Sequence, residues 1–451
     1  MQTGQPEYRT GMTVAACVWL GLFPLLQGGT YSRLTVHKFI IMLVLCAFTF
    51  LVFLAEQLPF LRGRSGHVPG RRSGILRSLF PWILACALLL WTVLSCLRSS
   101  FGPETWWLGE AARYEGLLTG ICYFVLFTCF FFSRVSLKPV MLSAAAGVTV
   151  FFVIVLLQRG GGNPLGLYPS GKSYALNPEF QGTIGNIDMC TGYLLLLAGL
   201  FLYALISRFP ALRPSRPFKK SKKSLCIMHC ALCMVYLFPL VITIYLILTM
   251  GVQFGAVSLI VLFLFTLLRF LPKKWRLPLL ILFIVAVLLA VWFWPGESGG
   301  IWELHEILHG RGRLSFGSNR TGVWLYSLGL ARASLWSGGG SGTYASRFNR
   351  YLSENGLVIP QEQDGVALPN YFDNPHNEYI SRLTDHGLPA LLLFLALLLF
   401  AVFRRHEGGF PLLTPCSAAV LCYAVQAFFS FSVCLVAPMF WVLLALSFSQ
   451  N

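Results

Sequence analysis

The chain has 451 residues, of which 56% are hydrophobic and only 11% charged, and its formal net charge at pH 7 is +17. Composition of this kind excludes a disordered chain and a water-soluble globular domain. What remains is an all-α polytopic membrane protein, since a bilayer core needs about 20 consecutive apolar residues and the chain offers runs of that order repeatedly.

In chain order, twelve transmembrane helices are predicted, near 11–27, 39–56, 79–97, 115–132, 139–157, 187–206, 225–249, 253–271, 277–294, 388–403, 411–429 and 434–449. Residues 1–294 then form a transmembrane bundle of spans 1–9, and 387–451 add spans 10–12. Between spans 9 and 10 lies a large extracytoplasmic loop, 295–386. Most Lys and Arg residues fall on one side of this layout, notably in 62–77 and 208–223, and such bias marks the cytoplasmic side. Both termini are therefore expected in the cytoplasm. The positive charge is topological, and nucleic acid is excluded as a partner because the basic runs are short loops between spans.

Val14-Ala15-Ala16-Cys17 is faintly like a lipoprotein processing site, but little apolar sequence precedes it, so the first span is expected to be an anchor. All 13 cysteines fall within predicted spans, which leaves no disulfide framework for the outer loops. Cys226, His229, Cys230 and Cys233 have a helical spacing that a metal would accept, but small-residue packing is the favoured account of them. No metal and no cofactor are predicted. The spans are nearly free of ionisable residues, and charge gathers in three outer segments.

The first segment, 98–114, carries Trp106, Trp107, Glu110 and Arg113, whose aromatic members suit a membrane interface. The second, 158–186, is rich in Gly and Pro and leads to Asp188 at the mouth of the sixth span, either a helix cap or a site residue. The third, 295–386, contains Arg311, Arg313, Arg320, Arg332, Arg347, Arg350 and Arg382 but no lysine. Planar guanidinium forks suit phosphate better than a point charge does. Within it Ser318-Asn319 reads as a cap for a helix with an apolar stripe at Val323, Trp324, Leu328, Ala331 and Leu335. Arg320 then sits in the first turn, where a cation is unfavourable unless an anion joins it. The run Gly338-Gly339-Gly340-Ser341-Gly342-Thr343 offers backbone amides to a phosphate, or is simply a turn.

His376 and Asn377 close the segment. Asn377 is placed to cap a short helix running to Asp385, Gly387 to terminate it, and Pro389 to open the next span. The His376 imidazole is thereby aimed at the bundle, where its neutral form is able to accept a proton from a hydroxyl. A structural histidine is the alternative, and His386 is the weaker candidate of the two.

The stretch His376-Asn377-Glu378-Tyr379-Ile380 through Asp385-His386-Gly387-Leu388 resembles the C-terminal signature of the O-antigen ligase and polymerase family. Asn319-Arg320 with Trp324, the run from Gly340 to Phe348, and Gly185-Asn186-Ile187-Asp188 resemble further family segments, in order, over roughly 180–400. The resemblance implies glycan transfer from an undecaprenyl-diphosphate-linked donor to an acceptor hydroxyl at the outer face of the bacterial cytoplasmic membrane. Its partners would be a lipid-linked glycan donor, a glycan, glycolipid or protein acceptor, and membrane lipids. Arg320, Arg347, Arg113, Asn377 and Asp188 are then candidates for substrate binding and His376 for catalysis, without a metal. The chain departs from the family at Met250-Gly251-Val252-Gln253-Phe254-Gly255-Ala256, where the family usually places Ser-Arg-Gly; either another outer arginine substitutes, with Arg347 and Arg113 as candidates, or the donor is bound differently, or the chain is inactive. A polyprenyl-glycan transporter and a non-enzymatic envelope-assembly protein are the alternatives.

Orientation is directly testable with Ser353→Cys in a chain purged of native cysteines. An impermeant thiol reagent should label it in intact cells; labelling only after lysis inverts the topology.

Overall fold

Inside a bilayer a backbone must satisfy itself, and helices do so within one segment. The computed structural model describes residues 9–61, 72–110, 112–208, 223–359, 362–363, 366–367, 371–403 and 413–449. The basic runs 62–71 and 209–222, and the side chains of Cys226, His229 and Cys230, lie outside the described residues.

Helix α1 (Thr10–Cys17) continues through a wider turn, Val18–Leu22, and is followed by α2 (Leu34–Leu61), α3 (Arg72–Leu97), the short α4 (Pro103–Trp106), α5 (Leu117–Phe131) and α6 (Leu137–Arg159). A two-stranded antiparallel hairpin, β1 (Phe180–Gln181) with β2 (Gly185–Asn186), leads directly into α7 (Ile187–Arg208). Next come α8 (Lys223–Thr249), α9 (Gln253–Phe270), α10 (Lys273–Trp292), α11 (Gly299–Leu308), α12 (Arg320–Ala333) and α13 (Tyr344–Glu354). A second small hairpin, β3 (Glu362–Gln363) with β4 (Val366–Ala367), precedes α14 (Glu378–Phe403), α15 (Pro415–Gln426) and α16 (Ala437–Ser449).

Seven helices among the described residues are long and apolar enough to cross a membrane: Tyr31–Gln57, Ser78–Leu97, Leu137–Arg159, Ile187–Ser207, Gln253–Phe270, Lys273–Trp292 and Glu378–Phe403. Five shorter apolar helices, Thr10–Leu22, Leu117–Phe131, Cys233–Thr249, Pro415–Gln426 and Ala437–Ser449, occupy the other five predicted positions. The described residues therefore form an all-α bundle of membrane character.

Helix α7 is the axis of the bundle and α10 its most exposed member: α7 buries nearly all of its span, α10 almost none. Small residues let α7 and α15 approach closely. A Cβ added at Gly199 would lie 2.5 Å from backbone atoms of Ala418 and Ala419. Tight backbone contact of this kind holds membrane helices together where no hydrophobic drive exists between them.

The expectation that the spans are nearly free of ionisable residues is qualified by α14, whose first turns hold the buried Glu378 and Asp385, and by α2. Helix α2 starts at Leu34, not near 39, and takes in Lys38, which is fully buried. Its ammonium donates to the carbonyls of Phe23 at 2.6 Å and Pro24 at 2.9 Å, which follow the end of the first helix. Loose carbonyls and a cation solve each other's desolvation.

A second, smaller core sits over the bundle, formed by Val323, Leu330, Tyr344, Phe348, Leu352, Ile359 and Phe372. The predicted stripe on α12 is partly revised by it. Val323 and Ala331 are buried, but Leu328 is exposed because the helix turns Ser327 and Leu330 inward instead, and Leu335 lies past the end of α12.

Gly199→Val should force α7 and α15 apart. The cost expected for overpacking is about 1–3 kcal/mol, visible as a lowered melting temperature of the purified chain; an unchanged melt would mean the contact is looser than described.

Candidate active site

Helix α14 is broken at its base. Asn377 caps it, its Oδ1 accepting from the amides of Tyr379 at 3.0 Å and Ile380 at 3.1 Å. Gly387, at φ 80° and ψ 177°, interrupts it before Pro389 restarts the helix. Both features agree with the sequence reading. The break frees carbonyls at the edge of the membrane region, and each finds a donor. Thr384 O accepts from Gly339 N (3.1 Å) and Arg347 Nη1 (2.7 Å), Asp385 O from Gly340 N (2.8 Å) and Ser95 Oγ (2.8 Å), and His386 O from Trp91 Nε1 (3.0 Å).

This changes what two predicted features do. The amides of 338–342 all have partners inside the protein: Gly338 N with Ser334 O, Gly339 and Gly340 with the broken helix, Ser341 N with Cys96 Sγ, and Gly342 N with Asp385 Oδ2. None is left for a phosphate cradle. Arg347 is half-buried and gives Nη1 to Thr384 O and Nη2 to Ser334 Oγ at 2.9 Å. Burial lowers its pKa, against the raising effect of Asp385.

Three other candidates do converge on His376. Helix α12 presents Arg320 and, one turn on, Trp324. The Trp324 indole donates to Pro375 O at 2.8 Å, which fixes the loop just before His376 beside the helix that carries Arg320. Arg320 stands 3.8 Å from the Asp188 carboxylate and lies over the Phe254 ring at 5.3 Å. Phe254 belongs to the segment where Ser-Arg-Gly was expected, so an aromatic face meets the Arg320 cation where another arginine was anticipated. Arg113 forms an ion pair with Asp373 and covers the Phe431 ring at 4.7 Å, while the His376 ring meets Phe431 edge-on at 5.1 Å.

Asp188 is not a helix cap. Asn186 fills that role, its Oδ1 accepting from the Asp188 amide at 2.8 Å, and the Asp188 side chain is left to Arg320. Asn319 likewise precedes α12 without a side-chain capping bond, and the amides of Arg320, Thr321 and Gly322 are taken by Gly317, Phe316 and Leu314 carbonyls. Any anion near Arg320 therefore meets its guanidinium, not the helix end.

Backbone strain marks the same three loops. Among the described residues, the non-glycine positions with positive φ are Ala112, Tyr114, Ser318, Asn319 and His376. They flank Arg113 and Arg320 or coincide with the histidine. Left-handed conformations cost about 1–3 kcal/mol each and persist where the surroundings enforce them, commonly at functional sites.

Burial above all pushes the His376 imidazole down to about 4; Arg320 acts in the same direction, Asp373 opposes it, and Arg113 adds to the lowering. Its Nδ1 is buried without a hydrogen-bond partner. The ring is thus neutral at neutral pH and able to receive a proton. Burial also lowers the pKa of Arg320, which Asp188 holds up in part. No group of three or more His, Cys, Asp and Glu is placed to hold a metal among the described residues.

A strained, histidine-bearing site joined to a bundle of apolar helices is the frame of an integral membrane protein. The family model described as O-antigen ligase matches residues 235–395, and this match supports membership of the O-antigen ligase and polymerase family. It spans Arg320, Trp324, His376 and the break in α14. No curated protein matches the chain.

Histidine burial makes stability pH-dependent. Unfolded, His376 takes up a proton below about 6.5; folded, only below about 4. Acid between those values therefore favours unfolding, by up to roughly 2–3 kcal/mol at the lower limit. The melting temperature of wild type should fall across this window more steeply than that of His376→Gln, and parallel slopes would place the imidazole in solvent.

Proposed function

We propose that this protein transfers a glycan from an undecaprenyl-diphosphate-linked donor to an acceptor hydroxyl at the outer face of the bacterial cytoplasmic membrane, without a metal. The observation that carries the reading is the convergence of Arg320, Arg113 and His376, from three separate segments, on one strained site. The O-antigen ligase match supports the same class of reaction.

The acceptor oxygen attacks the anomeric carbon, the bond from that carbon to the diphosphate oxygen breaks, and the hydroxyl proton passes to His376. Arg320 and Arg113 stabilise the charge growing on the diphosphate. Asp188 and Phe254 orient the Arg320 fork, and Asn377 positions His376 by starting the helix behind it. Arg320 and Arg113 act on the His376 imidazole and Arg347 is tied to the broken helix, so the donor is assigned to the first two. Donor binding also strengthens the base. Both arginines hold the imidazole pKa down, and a diphosphate neutralising them removes that effect.

The acceptor is a glycan, glycolipid or protein, and the lipid tail lies among membrane lipids beside the bundle. A transporter needs ionisable groups along a path near the midplane. Lys38 is the buried cation available in α2, and it is committed to two carbonyls.

Reconstituted transfer with matched donor and acceptor tests the reading. His376→Ala should lose about 10² to 10⁴ in rate while still binding donor. Arg320→Lys should bind a lipid-diphosphate analogue more weakly despite its charge, since the fork is lost. Chelator should change neither. Wild-type transfer by His376→Ala removes the base; lipid crossing a vesicle bilayer with no transfer hands the protein to the transporter class.

A further inference from the structure

An apolar side of α11 is left uncovered by the protein. Ile301, Leu304 and Leu308 recur at the spacing of one helical face, with Ile307 beside them, and they are between 41% and 49% exposed. No residue of α11 is buried. The opposite side is engaged. Glu303 Oε2 accepts from Gly317 N at 2.9 Å, Glu306 pairs with Arg311, His305 Nδ1 lies 3.0 Å from Val291 O, and the Trp302 and Phe316 rings meet edge-on at 5.4 Å.

Helix α10 sets the depth of that uncovered side. Val291 and Trp292 are its last two residues; the His305 bond holds α11 against the first, and the second packs on the His309 ring with centroids 4.2 Å apart. Almost none of α10 is buried, as expected of a span facing lipid, and exposed Trp292 and Phe293 at its end follow the aromatic preference for a membrane boundary. At that level hydrocarbon gives way to headgroups. A helix with one apolar and one polar face is suited to lie there, its apolar side turned to the acyl chains. Four half-covered side chains are too small a patch for a stable protein partner, which needs about 800 Å² on each side.

Glu303 and Trp302 carry this seat into the site. They hold Gly317 and Phe316, which precede the left-handed Ser318 and Asn319 and the start of α12 at Arg320. We infer that α11 is a lipid-surface helix: its Ile301, Leu304 and Leu308 side sits in the interfacial layer of a phospholipid bilayer, and from there the helix holds the Arg320 loop at the depth of lipid phosphates. The inference rests on the glycan-transfer reading for the loop's role alone, and adds how the site is kept level with a membrane-borne donor.

Contacts rather than transfer decide the inference, so its failure is distinct from failure of the reaction. The full chain, with all its cysteines, is placed in nanodiscs of phosphatidylethanolamine and phosphatidylglycerol with photoreactive p-benzoylphenylalanine in place of Leu304. Ser353, exposed on α13, is replaced in the same way for comparison. Ultraviolet light should yield lipid adducts by intact mass at position 304 and none at 353. Hydrogen exchange then follows Gly317, whose amide reports the Glu303 bond directly. In Leu304→Glu the peptide holding Gly317 should exchange about tenfold faster, the loss of one hydrogen bond to a charged acceptor. Leu304→Trp, which a membrane interface accepts, should keep wild-type protection. Peptides from α7 should be unchanged in both variants, which separates a lifted α11 from a disturbed bundle. Absence of lipid adducts at 304, or crosslinks there only to a second copy, overturns the seat. Wild-type exchange at Gly317 in Leu304→Glu, or equally fast exchange in Leu304→Trp, overturns the hold on the loop. A chain that meets both expectations and transfers no glycan keeps the lipid-surface helix and loses the transferase reading.

Discussion

Breaking a helix at the edge of a bilayer creates carbonyls that water cannot reach, and the upper part of this protein is arranged around that constraint. Gly387 makes the break, since its φ of 80° is one that a side chain would strain. Gly338 answers it: a Cβ there would sit 2.3 Å from Asp385 O, so only glycine lets the loop's backbone reach the exposed turn. Trp91 and Ser95 bring α3 to the same carbonyls, and Arg347 brings α13. One local interruption thus ties together a span, a loop and the small upper core.

With the base of α14 anchored, the segment before it has a defined start. Asn377 begins the helix, Glu378 N reaches Ala427 O at 2.8 Å, and Trp324 holds Pro375 from the other side. His376 is left between two fixed points in a left-handed conformation. An imidazole held by backbone on both sides keeps its ring against Phe431, between Arg320 and Arg113, without a bond to its own Nδ1. That freedom is what a proton acceptor requires.

Much of this was legible in the residues. Apolar runs located every long helix, and Asn377 and Gly387 announced a cap and a break through their ordinary backbone preferences. Asn319 misled, because the same cap-forming residue also tolerates the αL conformation it adopts before α12. The glycine run and Arg347 looked like phosphate binders because their donors were visible and their acceptors, above all the Thr384 and Asp385 carbonyls some forty residues away, were not. The Ser-Arg-Gly departure was readable as an absence, but the ring of Phe254 under Arg320 required coordinates.

Lys38 bears on how the chain enters its membrane. Lys38 lies in the second turn of α2, and the two carbonyls that receive its charge, those of Phe23 and Pro24, come only 15 and 14 positions earlier. Its acceptors leave the ribosome first. The first two apolar helices are consequently built to partition into lipid as a pair, the earlier one carrying the solvation that the later one needs, and a translocon handling them one at a time would face a charge with no counterpart.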